Sequence, residues 1–393
     1  MPTPTLRDIA EQCNVSVITA YRILSRQDEA DAATQNAVFT AAETLGYRLN
    51  VTIHDVAHAA GVSIATVSYV LNNSSPVSAE TRERVLRAAK QLGYRPNSTA
   101  RNLQASRTRL IGYPWHTVAP DDTNPVLDRF TYAMAQTAEA YGYHVLTFVQ
   151  PADQVTRPFL ELVQTNRVDG FIIADTNRDD PRVRWLMDMN VPFVAFGRAN
   201  DDWQFPYVDV DGRQGVKAVV NHLLELGHKR IGAMGWPPGS LSGDERLEGY
   251  HLALAGAQIS PHPDWIVHSE NYTADAFAAT QHLLRLPPPL RPTAIVCISD
   301  TLAIGVMKAI QAAGLSVGGD IAVTGFDDDP SGQHLTPTLT TLSQPVLEIA
   351  SLIVERLIDH IEGRTSSLVD GLLLPPNLII RESSGRQIQN SLV

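Results

Sequence analysis

The stretch LGYRLN at Leu45–Asn50 returns as LGYRPN at Leu92–Asn97, and it marks a repeat that constrains the whole N-terminal quarter of the chain. Sliding the sequence by 47 residues aligns Thr5–Asn50 with Thr52–Asn97 without a gap. Of the 46 aligned positions 17 are identical, among them Asp8/Asp55, Ala10/Ala57, Val15/Val62, Ser16/Ser63, Thr19/Thr66 and Gly46/Gly93. One small module is therefore written twice.

The second copy shows what that module is. After Thr52, a good N-cap, apolar Ile53, Val56, Ala57 and Ala60 fall at helical spacing, and Gly61 ends the helix. Ser63 then caps a second short helix, IATVSYVLNN, whose Val67, Val70 and Leu71 share one face. This leaves Ile64, Ala65, Thr66, Ser68, Tyr69 and Asn72 to point outward. Two short helices joined by a glycine-containing turn form a helix-turn-helix, which reads base edges in the DNA major groove with the start of its second helix. A third helix, from about Ser78 to Leu92, closes a three-helix core through Val85, Leu86 and Ala89 and carries Arg82, Arg84, Arg87 and Lys90.

The net charge of −11 speaks against nucleic acid only if it is evenly spread, and it is not. Residues 1–50 hold 4 basic and 6 acidic side chains, residues 51–110 hold 8 and 3, and the rest of the chain is net −14. A basic stripe on an acidic protein is a footprint of phosphate contact.

The next segment, YRPNSTARNLQASRTRLIGY, completes a resemblance to the LacI/GalR-type repressors that covers residues 52 to about 385. It is carried by T-x-x-D-V-A-x-x-A-G-V-S-x-x-T-V-S, by L-G-Y-x-P-N, and by A-R-N-L ahead of a strand beginning LIG. The resemblance implies a hinge helix over Asn97–Ala105, with Asn97, Ala100 and Arg101 at the DNA. Leu103 takes the position that wedges into the minor groove. Such a wedge unstacks a base step at a few kcal/mol and recovers this through contacts on bent DNA. At Tyr69 the chain departs from most relatives, which carry a guanine-reading arginine there. Tyrosine offers one hydroxyl and a ring where arginine offers a bidentate fork.

The first copy has Ser16 as cap and Val17, Ile18 and Arg22 on its second helix, so a second DNA reader is conceivable. It is net acidic, however, its third helix ATQNAVFTAAETL lacks basic residues, and no hinge follows Asn50. Phosphate contacts supply much of DNA affinity. Three roles stay open: auxiliary DNA contact, packing or dimer-contact module, and drifted duplicate.

From Leu110 onward, short apolar runs (RLIGY, HVLTFV, DGFIIA, PFVAFG, RIGAMG, TAIVCIS, DIAVTGF) alternate with amphipathic helical stretches. The clearest helix is GRQGVKAVVNHLLELG, with Val216, Val219, Val220, Leu223 and Leu224 in one stripe and Gly227 at its end. This is an α/β chain with doubly wound parallel sheets, and about twelve strands are too many for one lobe. Two lobes around a cleft follow. Ligands bind such sheets at the carboxyl ends of strands, where Asp175, Arg198, Asp300 and Asp327 stand; Trp115 or Tyr272 can stack on a sugar face.

The resemblance extends through GHKRIGAMG, ERLEGY, ISDTLAIGVMKAI, GGDIAVTGFDDDP, LTTLSQP and LIIRESS to a type I periplasmic-binding-protein-like core. It implies effector contacts at Arg246, Tyr272, Ser299 or Asp300, and Asp327, with Asn124, Asp128 and Asp175 added by position. The expected organisation is an extra module at 1–50, the DNA-binding module at 51–97, a hinge at 98–109 and an effector domain at 110–393. Within that domain the N-lobe comprises about 110–206 and 341–365, and the C-lobe about 207–340 and 366–385.

Other classes have little support. Leu241 occupies the nucleophile position of GSLSG, and neither a P-loop nor HExxH occurs, so no catalytic residue, metal site or cofactor is expected. Cys13 and Cys297 are too few for a disulfide framework, and no signal peptide or run of 18 apolar residues appears. The expectation is a cytoplasmic homodimeric repressor of carbohydrate-utilisation genes, bound to palindromic operator DNA and released by a sugar or glycoside between its lobes. Corepression by a non-sugar effector is the alternative; a sugar-binding receptor or a sugar-acting enzyme is the reading from another class.

Overall fold

The structure, a computed structural model, describes residues 4–25, 30–47, 51–72, 77–94, 107–116, 124–151, 153–365 and 371–385. The chain forms two compact units, residues 1–106 and 107–393. Among the described residues no helix is long and apolar enough to cross a membrane.

The first unit contains both copies of the repeat as three helices each: α1 (Leu6–Gln12), α2 (Val17–Leu24), α3 (Ala32–Leu45), then α4 (Ile53–Ala60), α5 (Ile64–Asn72) and α6 (Ala79–Gln91). The identical residues explain the identical geometry. Thr5 and Thr52 each start a capping box with the aspartate three residues on, Thr52 Oγ1 donating to Asp55 Oδ2 at 2.6 Å. Ser16 and Ser63 accept from the amides of Thr19 and Thr66 at 3.0 and 3.2 Å. The buried apolar residues of both copies, including Leu6, Ile9, Ile23 and Val38 with Val56, Val67, Val85 and Leu92, make one continuous core. Leu86 was expected in that core but is 48% exposed. Val85 and Ala89 are buried as expected, joined by Ala88 and by Leu92 at the C-cap of α6, because i, i+3, i+4, i+7 spacing keeps the four on one side.

The second unit has two parallel sheets. Strands β1 (Leu110–His116), β2 (His144–Gln150), β3 (Gly170–Ile173), β4 (Phe193–Phe196), β5 (Tyr207–Val210) and β11 (Leu372–Leu374) form a six-stranded sheet in the order β11-β5-β4-β3-β1-β2. Strands β6 (Ile231–Gly235), β7 (Ile266–His268), β8 (Ala294–Cys297) and β9 (Ala322–Thr324) form a second sheet in the order β7-β6-β8-β9. A short antiparallel pair, β10 (Thr341–Ser343) with β12 (Asn377–Ile379), completes the strands.

Helices α7 (Pro125–Ala140), α8 (Arg157–Gln164) and α9 (Pro181–Asp188) follow strands of the first sheet. Helix α10 (Gly212–Glu225) follows β5 of the first sheet, whereas α11 (Leu241–Gly256), α12 (Thr273–Arg285) and α13 (Asp300–Ala312) follow β6, β7 and β8 of the second, and α14 (Val346–Ile361) returns to the first. The stripe Val216, Val219, Val220 and Leu223 of α10 is buried as its spacing requires. All seven candidate runs contain a strand.

The lobe boundaries differ from expectation. Tyr207–Val210 and Leu372–Leu374 were assigned to the C-lobe, yet both pair within the six-stranded sheet of the N-lobe. The chain therefore crosses between lobes at Asp211, at Gln344–Pro345 and at Pro375–Pro376.

Candidate functional site

The second module presents one face of α5, the second helix of its helix-turn-helix, outward. Val67 and Val70 anchor it in the core, while Ile64 is 42% and Tyr69 46% exposed, Ala65 is exposed, and Thr66 and Ser68 are partly exposed. The Thr66 side chain is shared with the cap, lying 2.8 Å from Ser63 Oγ. Thr52 is partly buried in its capping box at the start of α4. Asn72 is the last residue of α5, and its side chain lies outside the described residues, as do Asn97, Ala100, Arg101, Leu103 and the rest of the expected hinge. On α6, Arg84, Arg87 and Lys90 are exposed; Arg87 also pairs with Glu83 at 2.6 Å.

In the first module α2 is placed differently. Arg22 is exposed and Ser16 caps the helix, but Val17 is only 5% exposed and Ile18 packs against the core.

In the second unit a cavity of about 1010 Å³ is lined by all eight expected effector residues: Asn124, Asp128, Asp175, Arg198, Arg246, Tyr272, Asp300 and Asp327. Trp115 lines it too. The strand ends explain this convergence, since Trp115 is next to last in β1 while Asp175, Arg198, Asp300 and Asp327 follow β3, β4, β8 and β9.

Each side chain is held by local structure. Asn124 caps α7, accepting from the Leu127 amide at 3.2 Å, and Asp128 is exposed in the first turn. Asp175 has a positive φ of 54°, and its carbonyl accepts from the buried Arg182 Nη2 at 2.8 Å. The Arg246 Nη1 donates to the Ile298 carbonyl at 2.6 Å, with Cζ 3.7 Å from the Phe326 ring centre and 5.2 Å from that of Trp236. Burial lowers the proton affinity of this guanidinium, and Asp327, Asp209 and Asp300 oppose the shift.

Asp300 and Asp327 form the floor. Asp300 accepts from Thr341 Oγ1 at 2.5 Å and from the Asp329 amide at 2.7 Å; Asp327 accepts from Gln344 Nε2 at 2.6 Å. Burial pushes both carboxyls above the usual carboxylate range. The charge of Asp327 raises Asp300 further, while Arg246 pulls Asp327 back down. Ser299 is fully buried; it caps α13 and donates to Asn271 Oδ1 at 2.6 Å, so Asp300 is the one of the two that reaches the cavity.

Residue-by-residue reading of the sequence named Arg198 and Asp327 but missed the partners through which the lobes are stitched. Arg198 Nε donates to Asp209 at 2.9 Å and its Nη1 to Glu245 at 2.9 Å, and the guanidinium spans the cleft from the loop after β4 to α11. Arg178 meets Asp244 at 3.3 Å, the Leu241 amide donates to Asn177 at 2.9 Å, and Arg129 Nη2 donates to the Asp327 carbonyl at 2.8 Å. Trp236, directly after β6, was also missed: it lines the cavity, and its buried Nε1 has no partner among the described residues. Its position after a strand is the signal that could have found it.

The arrangement offers hydroxyl-binding carboxylates, a stacked guanidinium and aromatic faces. Among the described residues no group of three or more His, Cys, Asp or Glu could hold a metal ion.

Comparison with known proteins agrees. The family model for bacterial regulatory proteins of the lacI family matches residues 5–50 and again 52–97, and that for a periplasmic binding protein-like domain matches 220–384. The HTH-type transcriptional repressor CytR of Escherichia coli (strain K12) is 32% identical over 382 residues, covering 97% of this chain and 96% of that protein. The lac repressor dimer bound to operator and the anti-inducer ONPF superposes with a TM-score of 0.73 at 30% identity, covering 85% of this chain and 99% of that one. The transcriptional regulator CelR in complex with cellobiose gives 0.64 at 29%, covering 85% and 100%. This chain belongs to the LacI family of DNA-binding transcriptional regulators, with its helix-turn-helix module present twice.

Proposed function

We propose that the protein is a homodimeric repressor that holds a palindromic operator through α5 and is released when a neutral sugar or glycoside enters the cleft between its lobes. The observation that carries this is the cavity lining itself. Among the described residues, Asp128, Asp175, Glu270, Asp300, Asp327 and Asp329 line it against only two arginines, one of which is already committed to Asp209 and Glu245. Carboxylates accept from hydroxyls, whereas an anionic ligand meets uncompensated repulsion. The aromatic rings of Trp115 and Tyr272 supply stacking faces. Cellobiose in the CelR complex supports the ligand class.

The switch follows from the bonds that cross the cleft. A ligand that replaces or tightens them biases the lobe arrangement, and the bias reaches the DNA-binding unit as a coupling of about 1–3 kcal/mol. This coupling is reciprocal, so operator weakens sugar as much as sugar weakens operator. Of the site residues, the reading role goes to Thr52, Ser63, Ile64, Ala65, Thr66, Ser68 and Tyr69.

The test has two parts. A thermal-shift screen over mono- and disaccharides finds ligands, because native-state binding raises apparent stability by mass action. Mobility-shift titrations with genomic fragments then measure operator affinity with and without each ligand. Weakened operator binding supports induction and tightened binding makes the ligand a corepressor. Absence of retardation at low salt overturns the proposal.

A further inference from the structure

The repeat contains an internal comparison, since each residue of one copy has an equivalent in the other. In the second copy the start of the reading helix is presented outward, with Ile64 42% exposed. Its equivalent in the first copy, Val17, is 5% exposed, and Ile18, the equivalent of exposed Ala65, is packed against the shared core. One turn along α2, Tyr21 is also partly buried against that core.

The glycines of the repeated LGYR phrase differ in the same way. Gly46 and Gly93 both adopt a left-handed conformation, with φ of 65° and 57°. The space around Gly46 is open, with nothing within 4 Å of where a β-carbon would stand. A β-carbon on Gly93 would collide with the Tyr21 hydroxyl and its ring carbon. The first module's second helix thus lies over the end of the second module's third helix, just ahead of the hinge segment in sequence. A base edge and this protein surface cannot both occupy the same face of α2.

We infer that α2 has been turned from a DNA-reading helix into an intrachain brace, docked through Tyr21 onto Gly93 of the operator-reading module, so that the chain presents one reading helix to DNA. This accounts for the acidic first module and its cation-free third helix, because a brace needs no phosphate contacts. It also gives the duplicated module a role that requires only the shape and apolar face already encoded by the repeat.

The test uses full-length protein. Gly46→Ala and Gly93→Ala both impose the left-handed strain of a β-carbon, so their difference isolates the contact with Tyr21. Gly93→Ala should lower the calorimetric midpoint of the N-terminal unit by about 4 °C or more beyond Gly46→Ala. In a Tyr21→Ala background the two alanines should cost the same. On a duplex selected from a randomised pool by the wild-type chain, Arg22→Ala should keep Kd within about twofold and leave the footprint length unchanged.

Equal effects of the two alanines in the wild-type background overturn the brace. A tenfold or greater loss of affinity in Arg22→Ala, or a shortened footprint, overturns the single-reader assignment. The calorimetric arm needs no DNA, so a chain that bound no duplex would sink the repressor reading while the Tyr21–Gly93 coupling still decided this one.

Discussion

Arg198 and Glu245 join the two lobes across the cavity, the guanidinium on one wall forming a fork with the carboxylate on the other while its Nε holds Asp209. The three side chains are only 12–18% exposed. Burial opposes the charge on Arg198, but Asp209 and Glu245 more than offset it and hold the guanidinium above its ordinary range. Removing one member of such a network leaves desolvated charge behind. Arg198→Ala should therefore destabilise the chain by about 3 kcal/mol and Glu245→Gln by about 1 kcal/mol. Denaturant unfolding of the two variants checks the order, and equal losses would contradict it.

Asp300 and Asp327 predict a pH dependence. Burial raises both above the unfolded carboxylate range near 4, and Asp300 reaches about 7. For a raised carboxyl the native state favours the proton. Its stabilising contribution is complete below about pH 4 and is lost as pH rises through about 7 for Asp300. Asp300→Asn should flatten the decline in stability between those limits, and urea midpoints collected from pH 4 to 8 measure the slope. A sugar hydroxyl donating to these carboxylates favours their ionised form, so effector binding near pH 7 should release protons. Calorimetry in buffers of different ionisation heat reads that release.

Much of this was visible in the residue pattern, and the exceptions share a cause. Periodicity placed the seven strand candidates, the stripe of α10 and both helix-turn-helix copies, because each depends on neighbours within a few residues. Strand ends placed Asp175, Arg198, Asp300 and Asp327 on one cavity for the same reason. The Arg198–Glu245 fork and the Arg129–Asp327 bond depend on two lobes meeting, which no local spacing records. Strand Tyr207–Val210 was assigned to the wrong lobe because its sequence abuts α10, whereas its hydrogen bonds go to β4 and β11. Leu86 shows the limit of hydrophobicity alone: on α6 the smaller Ala88 holds the inward position, and the leucine, about 200° round the helix from it, faces water.

Arg246 should separate effector binding from operator binding. It sits over Phe326, bonds a backbone carbonyl and borders the cavity, with no part in the DNA-binding unit. Lysine keeps the charge but loses the planar face and the fork. Arg246→Lys should raise effector Kd about tenfold or more, roughly 1.4 kcal/mol, while operator affinity without effector stays within about twofold. Paired calorimetric and mobility-shift titrations give both numbers. Equal loss of the two affinities would show instead a general folding defect.

Trp236 lines the cavity, and its buried indole N–H has no acceptor among the described residues. A buried donor left unpaired costs about 1–3 kcal/mol, so a ligand oxygen that reaches it relieves that penalty. Trp236→Phe keeps most of the apolar contact and removes the donor. Effector affinity should fall about 3- to 10-fold with thermal stability of the free protein unchanged or slightly raised, which a thermal-shift titration resolves. A free-protein stability loss of several degrees with unaltered affinity would assign the ring a packing role only.

Tyr69 should set operator preference at one base pair. It is exposed on α5 at the place equivalent to Arg22 of the first module, and the surrounding helix is fixed by Val67 and Val70. A tyrosine hydroxyl makes one hydrogen bond and its ring meets a thymine methyl or a sugar, whereas arginine takes guanine O6 and N7 together. Tyr69→Arg should shift selection at a single position of each half-site toward guanine, with about 1–3 kcal/mol of new discrimination, and leave the other positions unchanged. Selection from a randomised half-site library by both proteins measures this. If the consensus is identical, Tyr69 lies on the backbone side of the helix and base reading rests with Ile64, Ala65 and Ser68.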